Sequence, residues 1–94
     1  MTEPRVRVRA LVRGRVQAVG FRAFVLDHAD TLGLGGTVTN RPDGTVECVV
    51  EGAETAVESF LVKLRNGPRS ARVEGVELRR EEPRGEAAPM RVTA

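Results

Sequence analysis

The chain has 94 residues, 40% hydrophobic and 30% charged, with a formal net charge of +2. That length holds one compact core and excludes a second, so residues 1–94 are expected to form a single domain. No apolar run approaches the roughly 20 residues needed to span a bilayer, and Met1 to Arg5 have no apolar signal segment, so no membrane association and a cytoplasmic location are expected. Residues 5–13 then alternate. Val6, Val8, Ala10 and Val12 share one side, and Arg5, Arg7, Arg9, Leu11 and Arg13 the other, which predicts a strand with one face on a core. Arg7 and Arg9 are read as the solvated face of that strand.

Gly14 to Gly20 reads as a loop. From Phe21 the period changes: Phe21, Phe24, Val25, His28, Ala29 and Leu32 fall at helical spacing, with Gly33 as the stop. His28 is read as a packed or partly exposed spacer. Gly35 to Asn40 predicts a short strand. Arg41-Pro42-Asp43-Gly44 is a turn, with Asp43 assigned to it, and Thr45 to Glu51 completes a hairpin with Val46, Cys48 and Val50 on one face. A second helix is predicted over 53–65, with Ala53, Val57, Phe60, Leu61 and Leu64 as its buried stripe, ended by Asn66-Gly67-Pro68. Arg72 to Arg80 predicts a fourth strand. Its inward phase slips between Val73 and the pair Val76 and Leu78, as a bulge at Gly75 would cause. Glu81 to Pro89 reads as a loop, and Met90 to Val92 as a brief final strand. The order predicts an α+β, ferredoxin-like βαββαβ sandwich, an antiparallel sheet with two helices on one face.

Cys48 is the sole cysteine and His28 the sole histidine. Together they cannot build a zinc site or a Cys/His catalytic pair, so no metal is expected and Cys48 is read as a small buried hydrophobe. Fourteen of the fifteen basic residues are arginine. This mild positive bias suits an anionic small molecule without requiring nucleic acid. The aromatic residues Phe21, Phe24 and Phe60 all fall on predicted helices, which leaves no stacking platform for RNA on the sheet.

The chemistry concentrates in Gly14-Arg15-Val16-Gln17-Ala18-Val19-Gly20-Phe21-Arg22. A strand feeds a loop and the loop feeds a helix start, where unpaired N–H groups and the positive end of the dipole favour an anion. Arg22 falls in the first helical turn, and its planar fork of donors matches two phosphate oxygens. Gln17 reads equally as a support for the loop or as a spacer within it.

This segment resembles the acylphosphatase signature G-x-V-Q-G-V-x-F-R. The similarity continues through Ala29 to Asn40 and into Asp43-Gly44-Thr45-Val46-Glu47, which resembles the family's second signature, G-x-V-x-N-x-x-D-G-x-V-E. Pro68-Arg69-Ser70-Ala71-Arg72-Val73 resembles the family's entry to its fourth strand. The resemblance implies hydrolysis of a small-molecule acyl phosphate to a carboxylate and inorganic phosphate, without a cofactor. It implies Arg22 and Asn40 as catalytic residues, and Arg15, Val16, Gln17, Ala18, Val19 and Gly20 as the phosphate-binding loop.

Two departures stand out. Ala18 replaces a usual glycine inside the loop, and if that position needs a positive φ the alanine costs on the order of 1 kcal/mol. The chain also ends without the aromatic-bearing strand common in the family. The competing reading is a non-catalytic anion-binding or regulatory module that keeps the loop but not turnover. Small size and few aromatics favour a monomer.

Overall fold

The alternating segment at the start forms β1, Arg5–Arg15, in the computed structural model, which describes residues 3–93. Met1, Thr2 and Ala94, part of the expected domain, lie outside the described residues. The helical spacing that follows forms α1, Phe21–Thr31. Next come β2, Gly35–Asn40, and β3, Val46–Ala53; then α2, Glu54–Asn66, β4, Arg72–Glu81, and β5, Met90–Thr93. Ala53, expected in the second helix, is instead the last residue of β3, with φ −59° and ψ 140°.

The sheet order is β4-β1-β3-β2-β5. Its first four strands are antiparallel neighbours, as the βαββαβ order requires. The short final strand adds a parallel pairing to β2, with Val38 opposite Val92, so the five-stranded sheet is mixed. Both helices pack on one face. Phe21, Val25 and Ala29 of α1 and Val57, Phe60 and Leu64 of α2 meet Val8, Ala10, Val12, Val38, Val46, Cys48 and Val50 of the sheet, all of them buried. Burying such side chains contributes about 1.5–3 kcal/mol for each larger one.

The phase slip in β4 has the expected origin. Arg13 pairs with Gly75 but Gly14 pairs with Val73, leaving Glu74 as the extra residue of a bulge. Gly14, at φ 128°, lets the two backbones close up there, because a Cβ would collide with the Arg72 carbonyl. Leu78, assigned to the buried side, remains 42% exposed. It sits on an edge strand and lines an open hollow beside Val57 and Leu61 of α2, which leaves it only partly covered.

The expectation for Arg7 is corrected. Its side chain is buried on the helix-free face, where three carboxylates from three parts of the chain surround it: Glu51 at 3.1 Å, Glu81 at 3.1 Å and Glu86 at 2.8 Å. The charge is withdrawn from water because it is fully paired. Arg9 beside it is only partly buried and bridges Glu47 and Glu81. The helix-free face is therefore an ion-pair lattice, and residues 84–86 close over one end of it.

Candidate active site

The register of three strands decides where the site forms. β1 and β2 both run antiparallel to β3, so they run parallel to each other and end at the same edge of the sheet. Val12 and Asn40 both pair with Val46, one from each side. Asn40 thus stands two strands from the point where the chain leaves β1 for the loop into α1. Asn40 also follows Val38 by two residues, which puts it on the helix-bearing face with the loop.

Loop, helix start and strand end enclose a hollow of about 190 Å³, lined by Val16, Ala18, Gly20, Phe21, Arg22, Ala23 and Asn40. Of the residues expected at the site, Arg22, Asn40, Val16, Ala18 and Gly20 line it directly. Arg15, Gln17 and Val19 do not. Arg15 is the exposed last residue of β1. The side chain of Gln17 turns to the β2–β3 hairpin, where Nε2 donates to the carbonyls of Arg41 at 2.7 Å and Thr45 at 2.9 Å. Gln17 therefore supports the loop rather than merely spacing it. Val19 packs against the core, and its carbonyl accepts a hydrogen bond from Ser70 Oγ at 2.6 Å.

The hollow favours an anion. Gly20 is the N-cap of α1 in a left-handed conformation, φ 78° and ψ 14°, with no side chain capping the helix. No acidic residue occupies the first turn, so the positive end of the helix is not neutralised locally. Arg22 is exposed in that turn and, among the described residues, makes no ion pair. Ala18 has φ 58°, the one non-glycine residue with positive φ among those described. The loop thus demands at that position the conformation for which glycine is the usual choice.

Asn40 carries the most informative polar atom. Its Oδ1 is buried and has no hydrogen-bond partner among the described residues. A buried amide oxygen without a partner is destabilising by about 1–3 kcal/mol, and such atoms collect where a ligand or water completes them.

Other candidate groups are accounted for elsewhere. Asp43 belongs to the turn, accepting from Thr45 Oγ1 at 2.6 Å and Thr45 N at 3.0 Å, and these two bonds hold its carboxyl below the usual range. His28 packs edge-on to Phe24, with ring centroids 4.5 Å apart. Burial, aided by the charge of Glu47, pushes the Cys48 thiol up to about 12, which removes it as a nucleophile. Among the described residues no group of three or more His, Cys, Asp or Glu is placed to hold a metal ion. A larger hollow lies over the helix-free face, but its Arg9 and Arg41 are already bound to Glu47. No described helix is long and apolar enough to cross a membrane.

Sequence reasoning missed Ser70, which it placed only in the entry to β4. The contact joins residues 51 positions apart, and no local pattern signals it. Phe21 was legible as core and proves also to form one wall of the hollow.

Comparison with known proteins places the chain among close relatives. The acylphosphatase family model matches residues 8–89. An acylphosphatase of Thermus thermophilus is 57% identical over 72 residues, covering 77% of this chain and 82% of the relative. One from Moorella thermoacetica is 54% identical over 81 residues, covering 86% and 87%. The crystal structure of the Bacillus subtilis acylphosphatase superposes with a TM-score of 0.90 at 36% identity, covering 95% of this chain and 99% of that one.

Proposed function

This chain belongs to the acylphosphatase family and is an enzyme that hydrolyses acyl phosphates, and from that premise we propose that Arg22 and the loop from Arg15 to Gly20 hold the phosphoryl group while Asn40 orients the attacking water. The observation that carries this reading is the buried, unpartnered Oδ1 of Asn40 on the wall that Arg22 shares. An amide oxygen there accepts a hydrogen bond from water and directs a lone pair of the water oxygen at phosphorus.

The chemistry asks little more of the protein. Water attacks phosphorus, the bond from phosphorus to the acyl oxygen breaks, and the electron pair leaves with the carboxylate. That leaving group has a conjugate acid of pKa near ~4, so it departs without a strong general acid. Phosphoryl transfer is governed by positioning and by stabilisation of charge on the equatorial oxygens. The Arg22 guanidinium and the N–H groups of the loop and helix start supply that stabilisation. A hollow of about 190 Å³ lies below the ~300 Å³ at which pockets for drug-sized ligands begin. It takes the phosphoryl end and leaves the acyl group outside, so discrimination among acyl groups is weak.

The enzyme in this reading works as a monomer in the cytoplasm. Its exposed large apolar side chains, Val62, Leu78 and Val92, lie apart on α2, β4 and β5, and the two strands are opposite edges of the sheet. Gel filtration tests the monomer.

The decisive assay is hydrolysis of benzoyl phosphate. Arg22→Ala is expected to abolish it, and Asn40→Ala to lower kcat by roughly 10²–10³ with little change in affinity for inorganic phosphate. Wild-type turnover surviving in Arg22→Ala would refute the assignment.

A further inference from the structure

The loop from Val16 to Gly20 contains two left-handed residues, Ala18 at φ 58° and Gly20 at φ 78°, on either side of Val19. The peptide between Val19 and Gly20 is the one most free to flip, because glycine tolerates almost any φ. Its orientation matters. In a trans peptide the C=O and N–H point in opposite directions, so a flip would replace an N–H donor with a carbonyl oxygen facing the bound anion.

One contact outside the loop fixes this peptide. Ser70 Oγ donates to the Val19 carbonyl at 2.6 Å. Ser70 is itself held in a tight turn, closed by the hydrogen bond from Ala71 N to the Pro68 carbonyl at 3.0 Å, directly after the end of α2. Proline and the turn bond limit the freedom of the backbone that carries the exposed serine, and so keep its hydroxyl within reach of the Val19 carbonyl. Gln17 ties the other side of the loop to the β2–β3 hairpin, but it grips the hairpin's carbonyls through its own side chain and leaves the Val19–Gly20 peptide unrestrained.

We propose that Ser70 is a positioning residue for the phosphate cradle, its hydroxyl holding the Val19 carbonyl outward so that the Gly20 N–H faces the phosphoryl group. The inference rests on the reading that the 15–20 loop binds phosphate. Ser70 is exposed and lines no part of the hollow; it acts through one peptide plane. The α2–β4 turn thereby becomes part of the machinery of a site to which it contributes no lining residue.

The test uses inorganic phosphate as the probe, read in two ways: as a competitive inhibitor of benzoyl phosphate hydrolysis, and by the amide shift of Gly20 in nitrogen–proton correlation spectra. Ser70→Ala is expected to weaken phosphate about 5–10-fold, the loss of one ordered donor, and to diminish the Gly20 shift at saturation. Ser70→Thr, which keeps the hydroxyl, is expected to restore both. Ser70→Ala with phosphate affinity within twofold of wild type and an unaltered Gly20 shift overturns the proposal. So does a lowered melting temperature with unchanged phosphate binding, or a failure of Ser70→Thr to restore what Ser70→Ala loses. Arg22→Ala is run alongside: phosphate binding that survives in it sinks the cradle assignment itself, whereas its loss there with none in Ser70→Ala sinks only the role of Ser70.

Discussion

The carboxylate of Glu51, fully buried, accepts a hydrogen bond from Arg7 Nη1 at 3.1 Å across the β1–β3 pair. Arg7 occupies only part of that carboxylate. The backbone N–H groups of Arg84, Gly85 and Glu86 also donate to it, at 2.9, 2.7 and 3.1 Å. Glu51 is thus the anion of a nest formed by the segment that leads into β5. It pins that segment over the end of the sheet opposite the hollow, near the start of β2.

Breaking this arrangement from one side is expected to be severe. Glu51→Gln keeps the shape but removes one of the three carboxylate charges around Arg7, and its NH2 opposes the N–H donors of residues 84–86. Arg7 keeps Glu81 and Glu86, so the loss is that of hydrogen bonds to a buried charge, about 1.5–3 kcal/mol, a large share of the ~5–15 kcal/mol that folds such a domain. Urea denaturation should show a midpoint lowered accordingly. Turnover per folded molecule should stay near wild type, because the hollow lies at the other end of β1 and β2.

The same carboxylate gives stability a pH dependence. Burial alone would raise its pKa, but the Arg84 N–H, the Arg7 guanidinium and the N–H groups of Gly85 and Glu86 outweigh burial and lower it from 4.5 to about 2. Glu81 is held below its usual range chiefly by its hydrogen bond from Arg9. A carboxyl depressed in the folded state contributes stability that is present above the unfolded pKa and lost as pH falls toward the folded one. Stability should therefore be level above about pH 5 and decline from there to about pH 2. In Glu51→Gln the decline should be shallower, as measured by urea midpoints at stepped pH.

Ala18 is expected to yield to glycine. At φ 58° a Cβ is strained by about 1–2 kcal/mol, while glycine adds unfolded-state entropy of about 0.5–1 kcal/mol. Ala18→Gly should be more stable by up to about 1.5 kcal/mol and should retain hydrolysis. Ala18→Val, whose branched Cβ tolerates this region worse, should lose both stability and phosphate affinity. Thermal melts and phosphate inhibition separate the two effects.

Cys48 should be inert in the native enzyme. It is buried in β3 and its thiol is pushed up to about 12, so almost no thiolate exists near pH 8. Iodoacetamide should label it only after denaturation, as mass spectrometry reads directly. Labelling in the native state at the unfolded rate would contradict the packing described for β3.

Local order was legible in the chain itself. The period of two through Val6, Val8, Ala10 and Val12, the helical spacing from Phe21 and the turn at Pro42-Asp43-Gly44 are near-neighbour preferences, written within a few residues of where they act. The segment ending in Arg22 was legible for the same reason, since loop, helix start and arginine are consecutive. Tertiary structure alone decided the rest. Arg7 reads as a solvated charge until Glu51, Glu81 and Glu86 converge on it from three separate elements. Asn40, apart from the family resemblance, reads only as the end of a strand until β3 sets Val46 between it and Val12. Ser70 reads as nothing until the turn after α2 meets the loop before α1. Each of these depends on which side chains from distant positions share a few ångströms, and that is a property of packing rather than of spacing along the chain.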